Sequence, residues 1–362
     1  YNLMFSHVPN RVVVSSPLTP SFSIITDSHE KTYFWNRLLK LWNVPSSIAR
    51  CGTFPCCNPF SISSKHVDVL SHNTYDICLK SDGVRYILFM TTREGNESSP
   101  VALMIDRARN MYEVEIVAPQ KYFLDGTIIE GELVWRQPEE RTMIFYIFDG
   151  VLIKGEKISH HPFSERISRT MRAVSLSCDI QYVDDIETQA LDTDSIVMVH
   201  FRPQIEMRVK HFVSMKHAVR LWSERGDAEH RVDGIIFQDV NAPYKCGTAT
   251  DYSCLKWKEH STIDLCGPSN ALKAADGDLP ERIHGRSWRV LPSRIVGTDS
   301  CITEYLIMVS NDEIGLMAVR TRPDKYNGNS LHVIRSTVND VIHMLKPEDI
   351  ASVCTTTDHT EQ

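Results

Sequence analysis

Lys80-Ser81-Asp82-Gly83-Val84-Arg85 brings an amine, a carboxylate, a glycine and a guanidinium together within six residues. A K-x-D-G-x-R set of this kind suits covalent attack on phosphorus. The flanking runs, Tyr75-Asp76-Ile77-Cys78-Leu79 and Tyr86-Ile87-Leu88-Phe89-Met90, predict strands. Lys80 then stands at a strand-to-strand turn where Gly83 permits a tight backbone. A lysine amine is a good nucleophile only when neutral, and an apolar strand plus the nearby Arg85 cation would both lower its pKa. Taken alone, the hexapeptide also reads as a charged β-turn.

Further elements surround it in a fixed order. Phe54-Pro55-Cys56-Cys57-Asn58-Pro59-Phe60-Ser61 precedes it, and Ile105-Asp106-Arg107 and Ile129-Glu130-Gly131-Glu132-Leu133-Val134 follow. Phe145-Tyr146-Ile147-Phe148-Asp149-Gly150 and Met207-Arg208-Val209-Lys210-His211-Phe212 come next. Then stand Asp233-Gly234-Ile235-Ile236-Phe237, Pro243-Tyr244 with Gly247-Thr248, and Leu255-Lys256-Trp257-Lys258 with Ser261-Thr262-Ile263-Asp264. Arg320-Thr321-Arg322-Pro323-Asp324-Lys325, followed by Asn329, completes the series. In this order the set resembles the covalent nucleotidyltransferases, and within them the guanylyltransferase of mRNA capping enzymes. Two departures stand out: Cys56 replaces a usual glycine, and Leu316-Met317 stands where a tryptophan is common.

The resemblance implies a role for each position. Lys80 would be the nucleophile, and Arg107 would face the nucleotide phosphates. Glu132 would accept from the ribose or shape the metal-bound phosphate environment, since a carboxylate only accepts. Phe148 would stack on the purine, with Tyr146 two residues away on the same strand face. Lys210 would lie against guanine, because an ammonium donates to O6 whereas adenine presents a donor amine there. Asp233 would be a metal or phosphate-environment carboxylate. Lys256 and Lys258, on one strand face, would neutralise the α-phosphate and lower the pKa of Lys80. Arg322, Asp324 and Lys325 would orient the departing pyrophosphate.

The reaction so implied has two steps: Lys80 takes GMP from GTP as a lysyl-GMP phosphoramidate, then passes it to the 5′-diphosphate end of an RNA. Mg²⁺ or Mn²⁺ would offset phosphate charge. The alternatives are an ATP-dependent RNA or DNA ligase and a GTP-binding scaffold without chemistry. No phosphatase loop or methyltransferase signature is found, so a separate RNA triphosphatase and cap methyltransferase are expected partners, with RNA polymerase a further one. The expected location is the nucleus, or the cytoplasm for a viral protein.

These residues need elements to hold them. Helical spacing runs from Tyr33 to Trp42 and ends at Val44-Pro45. Strands are predicted at 75–79, 85–91, 101–106, 111–117, 127–135 and 142–153, then helices at 163–175 and Ser214–Arg225. Strands return at 231–239, 252–258, 287–291, 303–310, 314–322 and 331–335, followed by a helix over 336–346 and a polar tail from Thr355. The fold class implied is α+β: an ATP-grasp-like nucleotidyltransferase domain with antiparallel sheets over residues 1–264, then an OB-fold β-barrel with a C-terminal helix over 265–362. The C-terminal helix is expected to pack back on the first domain.

Composition sets the outer limits. The chain has 362 residues, enough for two cores, and a net charge of −7, which argues against coating nucleic acid through a broad basic surface. Phosphates must therefore be met by a few cations in a cleft. No apolar run is long enough to span a bilayer, so no membrane role is expected. The sequence opens on Tyr1, which reads as a fragment with targeting left open. Ten cysteines without a C-x-x-C pair predict a reducing compartment and no zinc, and His160-His161 reads as a loop before Pro162.

Overall fold

The computed structural model describes residues 24–50, 54–114, 116–137, 142–174, 197–198, 204–295, 297–298, 301–322 and 325–357. They gather into two compact units. One holds Ile62–Lys65 and Lys258–Leu345; the other holds the remaining described residues through Trp257 and those from Lys346 onward. A single cut at residue 264 is therefore not how the chain divides. It leaves the larger unit at Lys258 and returns after Leu345. The fold is α+β with mainly antiparallel sheets.

In the larger unit, α1 (Ser28–Trp42) starts five residues before the apolar spacing becomes visible, because the Asp27 carboxylate caps it by accepting from the Glu30 N–H. It stops at Asn43, whose left-handed backbone returns its N–H to Leu39 and Lys40 carbonyls. Next come β1 (Phe60–Ser61), α2 (Val67–His72) and β2 (Tyr75–Ser81). β3 (Val84–Arg93), β4 (Asn96–Ile105), β5 (Met111–Val114), β6 (Thr127–Trp135) and β7 (Thr142–Ile153) follow. After α3 (Phe163–Ala173) stand β8 (Gln204–Val209), α4 (Ala218–Ser223), β9 (Val232–Asp239) and β10 (Cys254–Lys258).

These strands form two sheets. The larger runs β7-β6-β3-β4-β5, with β8 parallel to β7. Both its faces are covered, which is why Tyr86-Ile87-Leu88-Phe89-Met90 is continuously apolar. Ile87 and Phe89 pack with Phe34, Leu38 and Trp42 of α1, while Tyr86, Leu88 and Met90 join the opposite core. The smaller sheet places β2 beside β9, then β10 and β1.

Lys80 does not sit in a hairpin. Asp82 and Gly83 carry the chain from β2 in the small sheet to β3 in the large one. Gly83 is required by proximity rather than by a turn: a Cβ there would strike the Leu133 carbonyl oxygen and come within 2.6 Å of Val134 Cγ1.

The smaller unit is a mixed sheet of β11 (Thr262–Leu265), β12 (Arg282–Ile283), β13 (Arg286–Val290), β14 (Thr303–Val309) and β15 (Glu313–Thr321), in the order β11-β14-β15-β13-β12. Helix α5 (Leu331–Ile342) lays Ile334 and Val338 on its core of Ile263, Leu265, Tyr305, Ile307 and Leu316. The strand expected at 331–335 is thus the start of this helix. The Ser330 side chain accepts from the Val333 N–H and caps it, and Leu331, Ile334, Val338 and Val341 share one helical face. Helix α6 (Pro347–Thr357) occupies the stretch expected to run into a polar tail. It is α6, not the helix before it, that belongs with the larger unit, where Ile350 and Val353 are buried.

Candidate active site

The Lys80 amine lies 2.8 Å from Asp233 Oδ1. The pairing of β9 with β2 explains this contact. Val232 faces Ser81 and Gly234 faces Lys80, so Asp233 is an extra residue, a β-bulge opposite Lys80. A bulge breaks the alternation of faces and re-aims a side chain. Phe148 stands at a second bulge: Glu130 faces Asp149 and Gly131 faces Ile147, leaving Phe148 unmatched on β7.

Electrostatics at Lys80 run against the expectation. Burial lowers its pKa, but Asp233, then Glu132 and Asp82, more than offset this, and the ammonium is held above the ordinary lysine value. Arg85 does not face it. That guanidinium pairs with the buried Glu130 carboxylate, donates to the Cys57 carbonyl at 2.5 Å, and sits 5.0 Å over the Phe148 ring. Tyr244 donates its hydroxyl to the other Glu130 oxygen at 2.5 Å. Arg85 is thus a wall residue under the Phe148 ring rather than an activator of Lys80.

Glu132 accepts from the Gly83 N–H at 3.3 Å. Its pKa is raised by burial, with Lys80 and Lys210 opposing. Arg107 donates to Asn58 Oδ1 at 3.2 Å, and burial followed by repulsion from Arg85 lowers its pKa. Arg85 already pairs with Glu130, so an anion bound here would be met by Arg107.

Phe148 and Tyr146 are both half-buried on β7, whereas Phe145 is in the core. Lys210, just past β8, is buried, and its amine lies 4.8 Å from the centre of the Tyr146 ring. It donates to the Leu79 carbonyl at 2.8 Å and to the Ser81 hydroxyl. Burial lowers its pKa, with Cys78 and Glu132 opposing. The Ser81 hydroxyl also meets His230 Nε2 at 2.7 Å. Neither Ser81 nor His230 carries a role in the sequence reading.

Lys256 and Lys258 are half-buried and alternate with buried Leu255 and Trp257, as strand spacing predicts. β10 is separated from β2 by β9, and the leading charges around Lys80 are anionic, so the expected lowering of its pKa by this pair is not the net outcome. In the smaller unit, Arg322 lies 3.4 Å from Asp264 and 3.6 Å from Glu304, and Lys325 pairs with Asp264. Asn329 ties to the Asp264 backbone from both sides, donating its N–H to the carbonyl and accepting through its side chain, each at 2.7 Å. Asp324 lies outside the described residues. Glu304, which also accepts from Thr262 at 2.7 Å, is a partner that no motif announced.

Beneath the Phe148 bulge, Arg166 and Asp149 form a buried pair with two bonds of 2.9 and 2.8 Å. The pair fixes α3 to β7, and Arg166 also donates to the His161 carbonyl before α3 and to the Ala242 carbonyl after β9. Among the described residues no group of three His, Cys, Asp or Glu side chains is gathered as a metal site. Magnesium commonly uses one or two carboxylates plus substrate phosphates, and Asp233 with Glu132 fits that demand. Among the described residues no helix is long and apolar enough to cross a membrane.

Comparison with known proteins adds the family. The family described as mRNA capping enzyme, catalytic domain, matches residues 22–260. The mRNA-capping enzyme subunit alpha of Schizosaccharomyces pombe is 26% identical over 334 residues, covering 82% of this chain and 79% of that protein. The Saccharomyces cerevisiae protein of the same name is 27% identical over 244 residues, covering 62% of this chain and 50% of that one. Among solved structures, a mycobacterial DNA ligase D complexed with ATP and MES is similar over 75% of this chain and 96% of that chain, at a TM-score of 0.40 and 11% identity. A likeness that distant decides nothing about substrate.

Proposed function

The chain belongs to the mRNA capping enzyme catalytic-domain family and is an mRNA guanylyltransferase, and from that premise we propose how its residues divide the work. The observation that carries the proposal is the 2.8 Å contact between Lys80 and the bulged Asp233. GTP enters between the two sheets, with its base against Phe148 and its phosphates toward Arg107 and Lys256. Asp233 is the nearest acceptor for the proton that Lys80 must lose. The amine then attacks the α-phosphorus, forming an N–P bond as the P–O bond to pyrophosphate breaks. In the second step a terminal oxygen of a 5′-diphosphate RNA attacks the same phosphorus. The N–P bond breaks and the amine regains a proton.

Lys210 supplies the guanine preference, and Glu132 serves the ribose or the phosphate surroundings. Arg322 and Lys325, with Asp324 by resemblance, assist pyrophosphate departure. A bound Mg²⁺ or Mn²⁺, held by Glu132 and the nucleotide phosphates while Asp233 takes the Lys80 proton, would neutralise phosphate charge. The order β11-β14-β15-β13-β12 supports reading the smaller unit as an OB-type barrel. A separate triphosphatase to prepare the RNA end, a cap methyltransferase and a nuclear setting complete the proposal.

Incubation with α-labelled GTP or ATP tests it. The expected result is a GMP adduct from GTP, located on Lys80 by mass spectrometry and absent in Lys80→Ala and Lys80→Arg. An adduct from ATP alone would make the protein a ligase, and an adduct elsewhere would remove Lys80 from the chemistry.

A further inference from the structure

The buried contacts of Lys210 extend one residue further than its own partners. An ammonium is a donor only, so in its contact with Ser81 the hydroxyl oxygen accepts. Ser81 is itself 1% exposed, and its hydrogen needs an acceptor. The ring nitrogen of His230, 2.7 Å away, meets that need when Nε2 is bare and Nδ1 carries the proton. Hydrogen direction therefore runs from Lys210 to Ser81 to His230. The environment agrees with a neutral ring: burial, then the charge of Lys210, push the His230 pKa down to about 4. Nδ1 is buried without a partner among the described residues, so Nε2 is the nitrogen whose bond is specified.

This chain of bonds brackets the nucleophile. Lys210 grips the Leu79 carbonyl on one side of Lys80 and the Ser81 hydroxyl on the other. Two of its three hydrogens are used there, and one remains for a base. Loss of the far end of the chain would leave the Ser81 hydrogen without an acceptor and free the hydroxyl to turn away.

We propose that His230 is a positioning residue for guanine selection, acting through Ser81 to fix the Lys210 amine against the segment that bears Lys80. The proposal rests on the reading of Lys210 as the base-facing lysine. It predicts that base selection shows in the rate of adduct formation as well as in nucleotide affinity, since one lysine touches both base and nucleophile segment.

The test is single-turnover adduct formation with GTP and with ATP over a range of concentrations, with the thermal midpoint recorded for each variant. Disturbing a hydrogen bond to a charged donor is worth about ten-fold or more. His230→Leu and Ser81→Ala are expected to narrow the GTP/ATP preference by about that factor, with both the maximal rate and the half-saturating GTP concentration affected. His230→Gln keeps an acceptor for Ser81 and should stay within about three-fold of the unmodified enzyme. Should His230→Leu not fold, the comparison of Ser81→Ala with Ser81→Thr carries the same test, since threonine retains the hydroxyl. If Lys210→Ala loses the preference while His230→Leu and Ser81→Ala keep it, His230 has no such role and the base reading survives. If Lys210→Ala itself keeps the preference, the base reading fails and this proposal falls with it. Equal losses with GTP and ATP would mark His230 as merely structural and overturn the assignment.

Discussion

At the scale of single residues, Lys80, the proposed nucleophile, is held as an ammonium clasped by Asp233. The carboxylate that makes deprotonation harder is, in the proposed mechanism, also the group that receives the proton. Asp233→Asn should therefore separate the two effects. The Lys80 pKa should fall, seen as faster acylation of Lys80 at pH 8 by an amine-directed reagent, while GMP adduct formation drops. An unchanged acylation profile would mean that Asp233 does not set the lysine's charge. His230 gives a second expectation, in stability. Its pKa is about 4 in the fold against an ordinary 6.5, so between these values the unfolded chain binds more protons. Stability then rises with pH across that window and is lost as pH falls from 6.5 toward 4, by at most about 3 kcal/mol. Urea unfolding at pH 7 and pH 4.5 should show a smaller difference in His230→Gln than in the unmodified protein.

At the scale of elements, two bulges do the aiming. Regular pairing would have sent Asp233 to the face opposite Val232 and Gly234, and Phe148 to the face opposite Ile147. The Phe148 strand is further fixed by the buried Arg166–Asp149 pair and by Gly150, where a Cβ would collide with the Thr170 hydroxyl of α3. Arg166→Met would leave Asp149 buried without its cation, at a cost of about 3–5 kcal/mol. Adding Asp149→Asn should recover part of that loss. Denaturant unfolding of the single and double variants measures both, and equal stability in all three would show the pair to be inert. Much of this architecture is legible in the sequence, because β2, β6, β7 and β9 alternate or run apolar as strands do and carry the motifs at their ends. What is not legible depends on register. Arg85 finds Glu130 across the β3–β6 ladder, and no local spacing announces that pair. The sign of the Lys80 shift likewise depends on three carboxylates brought from β6, β9 and the Asp82 turn. At 331–335 the β-branched residues mimic a strand until the Ser330 cap is taken into account.

At the scale of the molecule, a net charge of −7 leaves RNA binding to a handful of cations. Contact with roughly three phosphates would give a slope near −2 for log affinity against log salt, and a slope steeper than about −5 would require a broad basic surface, which a net charge of −7 argues against. Arg322 and Lys325 belong to the smaller unit, and their proposed task concerns pyrophosphate alone. Arg322→Ala and Lys325→Ala should therefore lose adduct formation from GTP, yet pre-formed lysyl-GMP enzyme bearing either change should still pass much of its GMP to diphosphate RNA. Loss of both steps alike would refute that division.

The return of the chain after Leu345 has a consequence for biosynthesis. Helix α6 lays Ile350 and Val353 into the larger unit beside α2 and α4, so that unit's core includes residues made after the entire smaller unit. When residue 257 has been added, Lys80, Asp233 and Lys210 have all been made, but α6, which packs beside α2 and α4, has not. The core of the larger unit is therefore complete only after the whole of the smaller unit has been made. A released chain ending at Leu345 should be more sensitive to protease within the larger unit than one ending beyond residue 357, and equal resistance would show that α6 is not needed to complete that core.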